Sequence, residues 1–520
     1  MPGMKSLSRS LFTALTGLLL ALNSASGAVR LPVLFSHNMV LQADKRVTIW
    51  GWADDDELVV VRYFEQVAST RGKDGKWSVT LEAMPADATG RTLVVTGENE
   101  IRLKNVVVGE VWIASGQSNM AWTLKKTTNW THVASASSNP NLRLFTVPYV
   151  VSHEPLDDIK GQYLGGRPVW RTAGPDSTPE FTAVGYFFGR DLQKARNVPI
   201  GIIHTSKGGT PAELWTSHEA LAADRGLKGA LIDSYDSKME KYRTDMAKYN
   251  DAAAAAKKVG KKFNRRRPRA PRKSSSLYNS MIHPLLPFAI RGAIWYQGEA
   301  NASRAHQYRT LFPTMITDWR NGFGDAELPF FAVELAPYDK RRRRSLEEIT
   351  RKPVDSDWGE LRDAQIHAGR VLPNVGTVTI TDAGMKDDIH PVNKEPAGAR
   401  LALLARQGVY GEDIVGDGPS YASHAIANGQ VTVRFRNVGG GLVAKGGQLT
   451  GFAIAGQDGR FVWANAEIVD DTVVVSHPNI DQPAGVRFGW SDFPVVNLWN
   501  KEGLPAHPFR TDKFKLTTDR

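Results

Sequence analysis

The feature that most constrains this chain is a series of predominantly apolar, strand-like runs separated by helix-forming stretches. They are Val106 to Ala114, Ile200 to His204, Ile290 to Tyr296, Pro329 to Leu335 and Val375 to Thr381. A strand that alternates apolar and polar residues has one wet face, whereas these runs have none. Buried on both faces and alternating with helices, such strands predict a parallel sheet in a three-layer α/β domain. Helices are expected at Gly185 to Arg196 and Tyr308 to Arg320, and the last, Ala397 to Gln407, should close the domain near residue 409.

The flanks read differently. From about residue 31 to 105, short alternating segments such as Val47 to Trp52 and Trp77 to Leu81 are separated by turns such as Lys73-Asp74-Gly75-Lys76. This pattern predicts an N-terminal β-sandwich-like domain, residues 29–105. After residue 410 β-type runs return (Val431 to Phe435, Leu449 to Ile454, Thr472 to Val475), predicting a C-terminal β-domain over 410–520. The α/β domain, 106–409, carries an insertion near 227–275: a charged helical stretch, Leu227 to Ala256, followed by a basic segment containing Pro268 and Pro271.

Composition excludes several chemistries. There is no cysteine, which removes disulfides, thiolate metal sites and cysteine nucleophiles. The net charge of +11 is local: Lys257 to Lys273 holds ten Lys/Arg and no acid, and Lys340 to Arg344 holds five more. Without these fifteen charges the formal +11 becomes −4, and neither run is interleaved with aromatic residues, so no nucleic-acid partner is expected. At the start, Lys5 and Arg9 precede the apolar run Leu11 to Leu22 and the small residues Ser26-Gly27-Ala28. This predicts a signal peptide over 1–28 and export to the periplasm or beyond. An uncleaved anchor is the competing reading, but twelve apolar residues fall short of the roughly 20 a span requires. No other segment is long and apolar enough to cross a bilayer, and oligomeric state is left open.

The first strand of the α/β domain runs into Ser115-Gly116-Gln117-Ser118-Asn119-Met120. A buried strand ending in a tight polar turn at a parallel-sheet edge is where open α/β folds bind ligands, which makes Ser118 a candidate nucleophile. The plain alternative is that Ser118 only caps the following helix. Met120 stands where the Gly-x-Ser-x-Gly elbow of α/β-hydrolases has its second glycine, so that family is disfavoured. A serine nucleophile needs a base with an orienting group. Of twelve histidines, only His390 has an aspartate three residues before it, in Asp387-Asp388-Ile389-His390-Pro391. Asp387 is therefore the expected partner of His390, with Asp388 the weaker candidate because an i−2 carboxylate more often points away.

Several ordered segments resemble the sialate O-acetylesterase-like branch of the SGNH hydrolases and related bacterial polysaccharide acetylesterases. They are Leu34 to Gln42, Gly109 to Trp112 with Ser115 to Met120, Gly208 to Trp215, Leu277 to Ile282, Ile294 to Asn301, Asp387 to Pro391 and Gly503 to Phe509. The resemblance implies an SGNH-type fold and a serine carboxylic-ester hydrolase with no cofactor and no metal, acting on an acetylated carbohydrate. It implies Ser118 as nucleophile, His390 as base and Asp387 as its partner. Oxyanion donors would be the N–H groups of Ser118 and Gly209 and the side-chain amide of Gln297, whose alternative role is to tie loops together.

Gln117, Trp215, Glu299 and Asn301 are candidate substrate contacts, with bracing preferred for Glu299. Trp122, Trp295 and Glu213 are further possibilities beside the motifs. After Met120 this chain reads Ala121-Trp122-Thr123, where the branch usually has an acidic or polar residue and then a proline. That difference bears on the rim of the acyl pocket. Two other readings compete: a catalytically silent carbohydrate-binding protein, against which the intact triad argues, and a metal-dependent deacetylase, for which no His/Asp ligand cluster is visible.

Overall fold

The computed structural model describes residues 28–341 and 344–519. The expected signal peptide lies, apart from Ala28, outside the described residues. At the centre is a mixed sheet whose strands in chain order are β1 (Glu100–Gly116), β2 (Asn139–Thr146), β3 (Arg171–Ala173), β4 (Ile200–Ser206), β5 (Gly292–Tyr296), β6 (Phe330–Val333) and β7 (Val375–Val378). Their spatial order is β7-β6-β5-β1-β4-β2-β3, and all pair in parallel except β2 with β3. β1 is central, with β4 on one side and β5 on the other, so the chain builds outward from it in both directions.

Helices α1 (Ala183–Arg196) and α4 (Glu395–Gly408) cover one face through Phe187, Phe188, Leu192, Leu401 and Ala405. Helices α2 (Ala305–Phe323) and α3 (Asp357–Val371) cover the other, with Phe312, Trp319 and Leu361 in the core. The elements expected around residues 185–196, 308–320 and 397–407 are these helices, each a few residues longer.

The expected boundary at 105/106 is corrected by β1 itself. This 17-residue strand pairs near its start with Asp87–Thr96, pairs with Val40–Gln42 at Val107 to Gly109, and from Glu110 onward pairs with β4 and then β5. Burial follows the same continuity. One apolar cluster joins Leu34, Val47, Trp77 and Leu93 to Trp295, Phe312 and Ala368. The N-terminal strands share a core with one face of the α/β layer instead of enclosing one of their own.

The C-terminal region has two four-stranded sheets facing one another over Val433, Val473, Ile454 and Phe488. It is clasped to the α/β layer by polar bonds: Arg362 of α3 donates to the carbonyls of Ser491 and Asp492 at 2.7 and 3.2 Å. His507 lies between two carboxylates, Nδ1 at 2.5 Å from Glu334 and Nε2 at 2.8 Å from Asp417. These acids hold the buried imidazole well above the ordinary histidine value, outweighing desolvation.

The insertion contains a 24-residue helix, Tyr235–Lys258, with no buried residue. Residues 261–273 have no regular structure. The segment is not detached, however, because Arg272 donates to the Gly209 carbonyl at 2.5 Å.

Candidate active site

Gly116 ends β1 with φ +137°, and a Cβ there would lie 2.2 Å from the Tyr296 carbonyl oxygen. Only glycine fits this close approach to β5. Gln117 N–H then donates to that same carbonyl at 2.9 Å, and Lys207 N–H donates to the Gly116 carbonyl at 3.1 Å. The turn is thereby pinned to both neighbouring strands, and Ser118 opens the one-turn helix Ser118–Ala121 with its side chain partly exposed.

The loop after β7 returns to this edge and brings His390 Nε2 to 2.9 Å from Ser118 Oγ. Burial, and next the charge of Lys394, hold His390 below the ordinary histidine value, so near neutrality its ring accepts a proton from the hydroxyl. Trp122 stacks on the imidazole at 5.3 Å with 15° between the planes. This side chain, considered from sequence for sugar contact, fixes the orientation of the base.

The carboxylate at the ring is Asp388 and not the expected Asp387. Asp388 Oδ1 is 3.5 Å from His390 Nδ1 and accepts His390 N–H at 2.9 Å. Asp387 instead accepts from Lys386 at 2.6 Å. The cause is local: the bond from an aspartate to the N–H two residues on folds the turn back, carrying the i−2 carboxylate to the ring.

Gly209 has φ +69°, and no described residue accepts its N–H. A Cβ on Gly208 would lie 3.3 Å from Ser118 Cβ, which sets this loop against the nucleophile. Gln297 differs from expectation. It is fully buried, its Nε2 donates to Asn301 Oδ1 (2.7 Å) and the Thr210 carbonyl (3.2 Å), and its Oε1 accepts from Tyr308 (3.0 Å). Both amide hydrogens are committed, so it ties loops and is not a free oxyanion donor.

All four candidate substrate contacts are likewise bonded within the protein. Trp215 is fully buried and donates to Thr210 Oγ1 at 3.0 Å, and Trp295 lies in the same core. Asn301 accepts from Ala212 N–H and donates to Glu213, which also binds Arg304 at 2.6 Å. Gln117 is buried and accepts from Ala300 N–H at 3.3 Å. Glu299 also lies inside, accepting from Asn119 Nδ2 at 2.6 Å. Residues beside a catalytic motif in sequence need not face the substrate, and here their hydrogen-bond partners are other groups of the protein.

Lys394 escaped sequence reasoning. It is 1% exposed, donates to Asn119 Oδ1 at 2.5 Å, and burial pulls it down to about 7. Its only sequence signal is a lysine four residues after His390, which is unremarkable in a loop. No cluster of acidic or histidine side chains able to hold a metal occurs among the described residues.

A partly exposed serine bonded to a histidine, at the C-terminal edge of a parallel sheet, is the arrangement of a serine hydrolase. The chain belongs to the carbohydrate esterase family described as sialic acid-specific acetylesterase, whose model matches residues 108–402. A crystal structure of a carbohydrate acetylesterase from Xanthomonas citri is 34% identical, covers 94% of this chain and 100% of its own, and superposes with a TM-score of 0.79. The mouse sialate O-acetylesterase is 28% identical over 417 residues, 75% of each chain. The human sialate O-acetylesterase is 28% identical over 428 residues, 76% of this chain and 74% of its own. The protein is thus a carbohydrate esterase.

Proposed function

We propose that the protein removes O-acetyl groups from a carbohydrate through an acetyl-Ser118 intermediate. The observation that carries this reading is the 2.9 Å contact between Ser118 Oγ and His390 Nε2 within a chain of the acetylesterase family. His390 takes the hydroxyl proton as Ser118 Oγ attacks the acetyl carbonyl carbon. The oxyanion that develops is stabilised by the Ser118 and Gly209 N–H groups. As the C–O bond to the sugar breaks, His390 returns the proton to the departing sugar oxygen. Water, deprotonated by His390, then attacks acetyl-Ser118, and acetate leaves as the serine is re-protonated. Asp388 orients the imidazole and offsets its transient positive charge.

The substrate is an acetylated sugar or polysaccharide, a reading supported by the similarity to the carbohydrate acetylesterase from Xanthomonas citri. The pattern of the first 28 residues supports export, which would place the enzyme where such glycans are met. The test is acetate release from acetylated sialic acid, xylan, xyloglucan and pectin, with Ser118→Ala in parallel. Wild type should release acetate from at least one glycan, while the folded variant falls by about 10⁴-fold or more. His390→Ala should match it, and the double variant should be no worse, because the two act as one unit. Retention of more than a few per cent of turnover by Ser118→Ala would refute the assignment.

A further inference from the structure

Behind the Ser118–His390 pair lies a buried polar chain that takes no part in the proton transfers between serine, histidine and water. Lys394 Nζ donates to Asn119 Oδ1 at 2.5 Å, and Asn119 Nδ2 donates both to Glu299 Oε1 at 2.6 Å and to the Ile389 carbonyl at 3.1 Å. These bonds join three separate pieces of backbone: the nucleophile turn, the turn after β5, and the histidine loop at the residue before His390. Asn119 is fully buried, and Glu299 Oε2 and the Tyr296 hydroxyl are buried without partners among the described residues. Burying an ammonium and a carboxylate beside so few partners costs stability that an apolar core would not. Such an expense at the base of a catalytic pair calls for a role there.

We propose that Lys394, Asn119 and Glu299 form a positioning unit for His390, in which Asn119 fixes the histidine loop and the Lys394 ammonium holds the imidazole in its neutral, proton-accepting form. The inference rests on the reading of Ser118 and His390 as the hydrolytic pair. Lys394 lies 5.6 Å from the centroid of Trp122, the ring stacked on His390, and 5.5 Å from that of Tyr296.

The charged groups facing His390 are Asp388 and Lys394 from its own loop and Lys126 from the segment after Trp122. Those facing Lys394 are Glu299 and Asp388, with Asn119, Trp122 and Tyr296 as its uncharged surroundings. The sign is consistent. Below about pH 7 Lys394 carries its charge, and this is the range in which an ordinary histidine would protonate. The two protonations oppose one another, so the ammonium extends the working range of the base toward acid. Glu299, raised by its burial, faces Lys394 as the balancing acid.

The test is the pH profile of kcat/KM for a small neutral acetyl ester, using the full-length protein and its Lys394→Met variant. Methionine fills similar space without charge. The acid limb should move upward by about half a pH unit or more, a further loss of about threefold on that limb, with KM little changed because Lys394 does not touch substrate. If Lys394→Met does not fold, Lys394→Gln, which can still donate to Asn119, should give the same shift. A folded neutral variant whose acid limb coincides with wild type overturns the proposal, even if its activity is lower at every pH. Absence of esterase activity in the wild type would instead refute the hydrolytic reading itself.

Discussion

Replacing Asp388 by asparagine removes one negative charge beside His390 while keeping an oxygen able to accept the His390 N–H. The magnitude follows from the geometry. In the transition state the ring is an imidazolium, and Asp388 Oδ1 lies 3.5 Å from its Nδ1. Two unit charges at that distance interact by about 1 kcal/mol in bulk water and about 5 kcal/mol at an effective dielectric of 20. The Asp388 side chain is 53% exposed, which places the effect toward the lower end. About 2 kcal/mol corresponds to a loss of roughly 30-fold in kcat/KM. Asp387→Asn, which removes the carboxylate that accepts from Lys386, should change kcat/KM by less than about threefold. Both variants can be assayed on one chromogenic acetyl ester at a pH on the wild-type plateau. If Asp387→Asn is the more damaging of the two, the assignment of Asp388 is wrong, and the turn must reorganise when substrate binds.

The remaining predictions concern features away from the triad. Arg272→Ala frees the Gly209 carbonyl and should lower kcat by roughly three- to tenfold, short of the ~100-fold that follows loss of an oxyanion donor. Replacing residues 259–270 by a Gly/Ser linker that retains Arg272 should leave small-ester turnover near wild type, because loop length costs little. Loss of tenfold or more in that linker variant would make the segment integral to catalysis. His507→Asn leaves Glu334 and Asp417 facing each other without a cation and should destabilise the protein by about 3 kcal/mol, read by denaturant unfolding. Since His507 is raised in the folded state, its contribution is full below about pH 6.5 and is lost as pH rises through the folded value, well above that. The wild-type and variant midpoints should therefore converge at strongly alkaline pH, and a gap that widens there would refute the linkage.

The α/β layer was legible because β4, β5 and the second half of β1 are buried on both faces and mostly apolar, the pattern expected of strands in a sheet covered by helices on both sides. The elements β2, β3 and α3 were not. In β2 the buried Arg143 interrupts the apolar run, its guanidinium satisfied by the carbonyls of Pro140, Asn38 and Asn105. Helix α3 buries Glu360, Arg362, Asp363 and Gln365 beside Trp358, Leu361, Ala364 and Ala368, so buried polar residues blur the apolar stripe that a periodicity would reveal. Their partners lie far away in sequence: Thr517 and Thr518 for Glu360, Arg309 for Asp363, the Gln297 carbonyl for Gln365.

At the site, Ser118 and His390 could be named because a strand-to-turn junction and a nearby acidic pair are local signals. The choice between Asp387 and Asp388 depended on a single backbone bond. Trp215, Gln297 and Asn301 were misread for a different reason: adjacency to a motif says nothing about which way a side chain points. Lys394 could be recognised only once three loops had been brought together.

The strand that ends in the nucleophile turn begins far outside the catalytic layer, and this limits how the enzyme can be divided or inherited. A fragment starting at residue 106 would lose the partners at 87–96 and 40–42 that set the register of β1. Slipping that register by one position would exchange its two faces and move Gly116 away from the only place its missing side chain is tolerated. The catalytic portion is therefore no portable cassette. Any recombination that exchanges the N-terminal strands between relatives must preserve residue spacing across 87–116 to the residue, and natural variation in loop length should be excluded from that stretch while it remains free in 259–270.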